Sequence, residues 1–218
     1  MNDYSTNRKE YMSPRTSLSN QKIRDERRDQ ILHAALKVFA YKGLKAAKIS
    51  EIAALADISQ GLIHHYFVCK EDVFTAVVER AMIGALAAFD ETAGPNADPM
   101  ESLTLITGRM LQGLIIHPEY MLILTQSLVN QDTPPEVGKL LANLGQQVNT
   151  HLVKLIEAGQ AAGEVAPGNP QELAMIFFAA IQGLAITQFT QGMFTQSTPP
   201  TSPNFLPSPA TVLRILKA

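Results

Sequence analysis

The strongest constraint on the fold is the spacing of the apolar residues, which recur at every third or fourth position. Ile31, Leu32, Leu36 and Phe39 follow this spacing and form one face of a helix, and Gly43 stands where glycine ends one. No segment alternates apolar and polar residues as a half-buried strand does. The pattern predicts an all-α fold of about nine helices. The predicted helices are 22–43, 49–56, 60–67, 70–89, 99–117, 118–131, 135–163, 170–194 and 210–218.

Charge is distributed unevenly along the chain. Residues 1–72 contain 12 Lys and Arg against 9 Asp and Glu, a balance of +3. Residues 73–218 contain 6 against 11, a balance of −5. A basic N-terminal third on an acidic remainder favours a polyanionic partner for that third.

The sequence also bears on where the protein works. A single cysteine leaves no internal disulfide and favours a reducing compartment. The N-terminus is polar and lacks the apolar core of a signal peptide. The longest apolar stretch, LAMIFFAAIQGLAI, has about 14 residues and is too short to cross a bilayer. We therefore expect a cytoplasmic protein that does not bind membranes.

Two short helices joined by a tight connection predict a helix-turn-helix at 49–67. Ser59 is a suitable N-cap for the second helix, and Leu62 and Phe67 are expected to anchor that helix on its neighbours. Lys70 begins the next helix, where a cation and free backbone N–H groups suit a phosphate. The residues left facing solvent, near the end that enters a major groove, are Gln60, Gly61, His64 and His65.

Residues 24–80 resemble the DNA-binding segment of TetR-family transcriptional repressors. The resemblance is carried by RDQILHAALKVFAYKGLKAAKISEIAALADISQGLIHHYFVCKEDVFTAVVE. Its most specific part is Ser-x-Gly, then an aromatic-rich run that ends in Phe, two residues and Lys-Glu. The DNA-binding residues that we predict are Gln60, Leu62, His64 and His65 on the recognition helix, the phosphate anchor Lys70, and Lys48, Ser50, Ser59 and Gly61.

The resemblance also implies how the chain is divided. Residues 1–23, which show no periodicity, are predicted to form a flexible arm. Residues 24–70 would form the helix-turn-helix DNA-binding domain, and residues 71–218 the ligand-binding and dimerisation domain. The implied function is that of a homodimeric repressor. It would bind double-stranded DNA at a palindromic operator and be released by a small, largely apolar effector.

Four positions depart from the family pattern. His64 stands where tyrosine is usual, and Lys48 stands where serine or threonine usually caps the second helix. A lysine cannot accept the N–H bonds of a cap, but its amine can reach a phosphate. Leu62 replaces a common polar residue, so it either contacts a thymine methyl group or packs. Cys69 lies at a helix N-terminus, which should lower its pKa; an incidental role and a redox switch both remain open.

Other kinds of site fit these residues less well. His64 and His65 are neighbours on a helix and point about 100° apart, so they cannot share a metal ion, although one of them could pack. The sequence contains no Gly-rich phosphate loop, nucleophile elbow, HExxH motif or recognisable Cys–His pair. We therefore expect neither enzyme activity nor a cofactor. The alternative function is a helical ligand- or protein-binding module without DNA binding.

Polar residues within the apolar helices are candidates for effector contacts. The stretches MLILTQSLV and LAMIFFAAI, together with the methionines, favour an apolar and adaptable cavity, but they suit a plain core as well. Each polar candidate could instead be a hydrogen-bonded structural residue, and Arg109 could lie on a solvated surface. The ligand-binding candidates are Arg109, His117, Tyr120, Gln126, His151 and Phe177.

Dimerisation is expected to use the C-terminal helices. The helix predicted at 170–194 is the most apolar in the chain and contains several small residues, which allow another helix to approach closely. The final helix presents Val212, Leu213, Ile215 and Leu216, more apolar surface than a short tail helix should leave in water. We therefore predict a two-fold interface built from both segments of each subunit.

Overall fold

The structure is a computed structural model that describes residues 14–90, 98–194 and 206–217. Within these ranges the chain forms nine α-helices and one short 3-10 helix without any strand, which confirms the predicted all-α fold. The helices are α1 Pro14–Ala46, α2 Ile49–Leu55, α3 Gln60–Tyr66, α4 Lys70–Asp90, α5 Pro99–Ile116, α6 Pro118–Val129, α7 Pro135–Ala161, α8 Pro170–Phe194, α9 Pro209–Val212 and the 3-10 helix Leu213–Ile215.

Helix α1 starts earlier than its apolar spacing indicates. It begins at Pro14, so the predicted flexible arm over 1–23 is wrong from that residue onward, and residues 1–13 lie outside the described part. Pairs of polar side chains four residues apart stabilise an exposed helix in which apolar periodicity is absent. Two such pairs are Gln21–Asp25 at 2.9 Å and Lys22–Glu26 at 3.9 Å.

The helical path of α1 breaks at Gly43, as the sequence predicts. Gly43 has φ 72° and ψ 166°, a conformation that favours glycine because a Cβ would be strained there. Before the break, the Phe39 ring lies 5.1 Å from the Phe74 ring in an edge-on contact. This contact joins α1 to α4 at the centre of the N-terminal core.

The buried apolar residues form two clusters that share α4. The first cluster combines α1, α2 and α3 with the start of α4, and it continues past the predicted domain boundary at residue 70 to Val78. Ile123 of α6 and Val137 of α7 complete it. The second cluster joins the end of α4 to α5, α7, α8 and the C-terminal segment. Because α4 belongs to both clusters, it connects the N-terminal helices to the rest of the chain.

The C-terminal segment packs within its own subunit. Val212, Leu213 and Leu216 are buried in the second cluster, and the Leu216 carbonyl accepts a hydrogen bond from the Ala166 N–H at 2.8 Å. The prediction that these three residues form part of a dimer interface is therefore wrong, whereas Ile215 is 41% exposed and its place in an interface stays a prediction. The apolar surface of the three buried residues is covered by α5 and α8 of the same chain, a contact between distant segments that local periodicity cannot reveal.

Candidate nucleic-acid interface and effector cavity

The connection between α2 and α3 is a tight turn held by side chains. Asp57 adopts a positive φ of 51° in this turn. The Gln30 side chain of α1 donates a hydrogen bond to the Ala56 carbonyl at 2.6 Å, which fixes the end of α2. The Ser59 hydroxyl accepts a hydrogen bond from the Leu62 N–H at 3.2 Å, so the predicted N-cap of α3 is confirmed.

Helix α3 is anchored by Ile63 and Phe67, which are 0% and 7% exposed. The predicted anchor Leu62 is only half-buried, so that assignment was wrong for one of the two residues. Ile63 and Phe67 are four residues apart and therefore share a helix face, whereas Leu62 lies on a different side. The Arg28 guanidinium sits 5.6 Å above the centre of the Phe67 ring and covers this anchor from α1.

The opposite side of α3 is polar and faces solvent. Gln60, Gly61, His64 and His65 are all exposed, and we call these four residues the α3 surface. Because His64 and His65 are exposed, neither packs into the core. The His65 ring makes an edge-on contact at 5.5 Å with the ring of its neighbour Tyr66. No group of three or more His, Cys, Asp or Glu residues in the described ranges is arranged to hold a metal ion.

The start of α2 is capped without help from the Lys48 side chain. The Glu51 carboxylate accepts a hydrogen bond from the Lys48 N–H at 3.1 Å and another from the Lys42 amine at 2.6 Å. The bond from Lys42, followed by that from the Lys48 backbone, lowers the pKa of Glu51. Lys48 and Ser50 are exposed at this helix start, so the Lys48 amine is available to a phosphate.

Lys70 has a structural role that the sequence does not reveal. Its amine donates hydrogen bonds to the Lys45 carbonyl at 3.2 Å and to the Ala47 carbonyl at 3.0 Å. The Lys45 carbonyl lies in the last turn of α1, where a cation complements the helix dipole, and the Ala47 carbonyl lies in the connection to α2. An ammonium group has three donors, so one remains for a phosphate.

The thiol of Cys69 has a raised pKa, contrary to the expectation from its place at a helix N-terminus. The backbone hydrogen bond involving Asp72 is the largest single influence and lowers the pKa. Desolvation and the carboxylates of Asp72 and Glu71 each raise the pKa, and together they outweigh that bond. The Cys69 N–H donates to the Asp72 carboxylate at 3.2 Å, which places that negative charge beside the thiol.

A cavity of about 640 Å³ lies between α4, α5 and α6. Its volume is in the range of small-molecule sites. The predicted ligand residues Arg109, His117 and Tyr120 line it, together with Arg80, which the sequence did not single out. We call it the large cavity. The rest of its wall is apolar and includes Ile83, Met110, Leu114, Met121 and Leu124.

The other three predicted ligand residues do not line the large cavity. Gln126 donates a hydrogen bond to the Ala40 carbonyl at 3.0 Å and so joins α6 to α1. Phe177 is fully buried in the second core cluster. The His151 ring lies 6.0 Å from the Phe89 ring, and its buried Nδ1 has no hydrogen-bond partner within the described residues. In each case a distant part of the chain decides which side of the helix is covered.

One end of the large cavity is connected directly to α1. Arg80 forms an ion pair with Asp29 of α1 at 2.8 Å. The His117 ring lies 6.0 Å from the His33 ring of α1 and 5.7 Å from the Tyr120 ring. Burial raises the pKa of Tyr120, the charge of Arg80 lowers it, and Asp29 with Glu119 raises it further.

Helix α8 has an apolar surface that faces solvent in the single subunit. Met175 is 65% exposed and Ile186 is 48% exposed, although Phe177 and Ile181 of the same helix are buried. The 19-residue stretch Pro170–Gln188 is long and apolar enough to cross a membrane by length and composition, so it is longer than predicted. The core helix of a soluble protein passes the same test.

Comparison with known proteins agrees with this architecture. Residues 31–77 match the family model described as bacterial regulatory proteins, tetR family. The HTH-type transcriptional repressor NicS of Pseudomonas putida is 32% identical over 139 residues, which cover 64% of this chain and 66% of that protein. The fatty acid metabolism regulator protein of Bacillus subtilis is 28% identical over 150 residues, covering 68% and 76%.

The likeness also extends to the fold of most of the chain. A TetR-family transcriptional regulator from Agrobacterium tumefaciens superposes with a TM-score of 0.68 at 20% identity, over 89% of this chain and 99% of that one. The family match includes α2 and α3 with the adjoining parts of α1 and α4. The chain therefore belongs to the TetR family of bacterial transcriptional regulators.

Proposed function

We propose that this regulator is a cytoplasmic homodimeric repressor that binds a palindromic operator and is released by a small effector in the large cavity. The observation that carries the proposal is the α3 surface. Its four residues lie on two successive turns of α3 and face solvent, while Ile63 and Phe67 anchor the opposite side of the helix in the core. A recognition helix reads bases from its N-terminal half.

The chemistry of the α3 surface suits DNA bases and phosphates. A glutamine such as Gln60 can form two hydrogen bonds with adenine, to N6 and N7 in the major groove. Imidazoles such as His64 and His65 can donate hydrogen bonds to guanine or to phosphate. Leu62, half-exposed beside them, can contact a thymine methyl group. Lys48 is exposed at the start of α2, where an amine reaches the DNA backbone.

The apolar surface of α8 supports a dimer. Met175, Ala179, Gly183 and Ile186 are exposed and follow a spacing of four, four and three residues, so they form one stripe, which we call the α8 stripe. A homodimer buries the same patch of both subunits, and a stable interface of this kind is strongly apolar. The small residues in the stripe allow the two copies of α8 to approach closely.

The large cavity supports release by an effector. Its polar end touches α1 through Arg80 and His117, and α1 also carries the residues that hold α2 and α3. A ligand that prefers one position of α4 and α6 therefore biases the position of the DNA-binding helices. Because the two recognition helices must match half-sites one turn or a multiple apart, a small shift weakens both contacts together.

The proposal is tested by a mobility-shift assay with DNA from around the protein's own coding region. We expect a retarded complex that survives excess nonspecific competitor and contains two subunits. The control is scrambled DNA of the same length and composition. Equal binding to the original and scrambled DNA would contradict the proposal.

A further inference from the structure

We infer that the large cavity takes an amphipathic carboxylate whose anionic group replaces Asp29 on Arg80. This inference rests on the proposed function, because it names the effector class of the same cavity. It concerns one ion pair, between the Arg80 guanidinium and the Asp29 carboxylate at 2.8 Å, and the apolar wall beside it.

The charge of the cavity lining favours an anion. Residues 73–218 are acidic overall, with 6 Lys and Arg against 11 Asp and Glu. Two of those six basic residues, Arg80 and Arg109, nevertheless line the large cavity, and its described lining contains no Asp or Glu. Concentrating cations in an otherwise acidic region marks the cavity as the place where a negative group is stabilised.

The cavity lining combines two arginines with apolar side chains. Arg80 lies at one end of the α4 wall, and the Ala88 carbonyl, which accepts a hydrogen bond from Arg109 at 3.0 Å, lies eight residues further along. Eight helical residues span about 12 Å. The lining also contains the apolar side chains of Ile83, Met110 and Leu114. The cavity therefore fits a molecule with an anionic head at Arg80 and an apolar body along the rest of the wall.

Arg80 is the group that such a head would bind. A guanidinium binds a carboxylate through two parallel hydrogen bonds, and Arg80 already holds one carboxylate in the Asp29 pair. The side chains of Arg80 and Asp29 are 42% and 63% exposed, so their pairing in water is weak and easily exchanged. A ligand carboxylate that arrives with its apolar body already buried competes effectively for the same guanidinium.

The exchange has a consequence for α1. Asp29 precedes Gln30, whose side chain holds the end of α2. When a ligand takes Arg80, the α1–α4 ion pair is lost, and α1 keeps only its packing and ring contacts with this end of the cavity. The ligand and Asp29 thus compete for the same guanidinium, which couples cavity occupancy to the helix that carries the DNA-binding helices.

The test measures ligand binding calorimetrically on the full, DNA-free chain with octanoate and with its neutral analogue octanamide. We expect octanoate to bind about tenfold or more tightly than octanamide, because only octanoate forms charge-assisted bonds with Arg80. Arg80→Gln should remove this preference. Arg214→Gln, which removes an exposed arginine of the 3-10 helix away from the cavity, should keep it.

Asp29→Asn provides the sharper measurement because it removes the competing carboxylate and leaves the cavity intact. We expect octanoate affinity to rise about two- to fivefold and octanamide affinity to stay unchanged. Asp25→Asn, one turn earlier on α1, is the matched control and should change neither. The inference is overturned if octanoate does not bind, if octanamide binds equally well, or if Asp29→Asn leaves octanoate affinity unchanged. Because no DNA is present, these failures are distinct from a failure of operator binding.

Discussion

Two helices of this protein leave a row of side chains in solvent, and the two rows differ in chemistry. The α3 surface is polar and stands on a short helix that two apolar residues anchor from behind. The α8 stripe is apolar and stands on a long helix whose other side is buried in the second core cluster. Both rows are exposed in the isolated subunit, so exposure alone does not say what either one meets.

The difference between the rows indicates different partners. Leaving Met175 and Ile186 in water is unfavourable, so the α8 stripe gains by contact with another apolar surface. The α3 surface is stable in water and gains only from a partner that offers hydrogen bonds and negative charge. We therefore assign the α8 stripe to a second copy of the chain and the α3 surface to DNA.

The largest effect is expected from a charge placed in the α8 stripe. Met175→Glu or Ile186→Glu should weaken dimerisation by about two orders of magnitude or more, because an unpaired carboxylate would be buried between the subunits. Sedimentation velocity would show monomers, and operator binding would fall with the dimer. Gln112→Glu adds the same charge at an exposed position of α5 and should leave the dimer unchanged. A dimer that survives both stripe variants would place the interface elsewhere.

The α3 surface is tested by removing its two imidazoles. His64→Ala with His65→Ala should reduce specific operator affinity about a hundredfold or more, since base contacts are lost in both half-sites. The free energy of unfolding should change by less than about 0.5 kcal/mol because both residues are exposed. Fluorescence anisotropy and thermal melting give the two values. A large loss of stability with unchanged DNA binding would show that the histidines are structural.

A third prediction concerns the packing of α7 in the second core cluster. A Cβ on Gly159 of α7 would lie 2.5 Å from a Val165 methyl carbon, so Gly159→Ala should destabilise the fold by about 1–3 kcal/mol. Gly145 lies on the same helix with nothing within 4 Å of an added Cβ. Gly145→Ala should therefore stabilise the protein by about 0.5–1 kcal/mol. Equal effects of the two changes in a urea titration would contradict the packing described for α7.

The smallest expected effect is on the salt dependence of DNA binding, and it is tested at Lys48 and Lys70. Lys70→Ala and Lys48→Ala should each reduce the slope of log K against log salt by about one per half-site, if each amine contacts one phosphate. Only Lys70→Ala should also lower stability, by about 1 kcal/mol, because it loses bonds to the Lys45 and Ala47 carbonyls. An unchanged slope with altered base preference for Lys70→Ala would refute its phosphate role.

The sequence predicts those features that depend on neighbouring residues. The Ser59 cap, the break at Gly43 and the helix starts at Pro99 and Pro118 are all present, because each depends on side chains within one turn. The prediction that one side of α3 is polar and faces solvent is correct for the same reason. The anchor was assigned to Leu62 where Ile63 serves, because the helix is too short for periodicity to fix its orientation.

Features that depend on distant residues could not be predicted in this way. Lys70 bonds to carbonyls 23 and 25 residues earlier, and Gln126 bonds to one 86 residues earlier. The final helix is buried by helices of its own chain, which its apolar pattern cannot distinguish from a partner's. Arg80 was not predicted to line the cavity, because nothing in the local sequence places it beside α5 and α6.

The central claim is that two copies of the α3 surface read DNA as a pair, and selection of bound DNA from a random-sequence library tests it most directly. The full chain should enrich an inverted repeat whose half-site centres are about 10 base pairs apart or a multiple of that distance. The same selection with the His64→Ala, His65→Ala protein should enrich no sequence. A selection that yields no enriched sequence with the unaltered protein, or an unpaired motif that the histidine variant also enriches, would contradict the account.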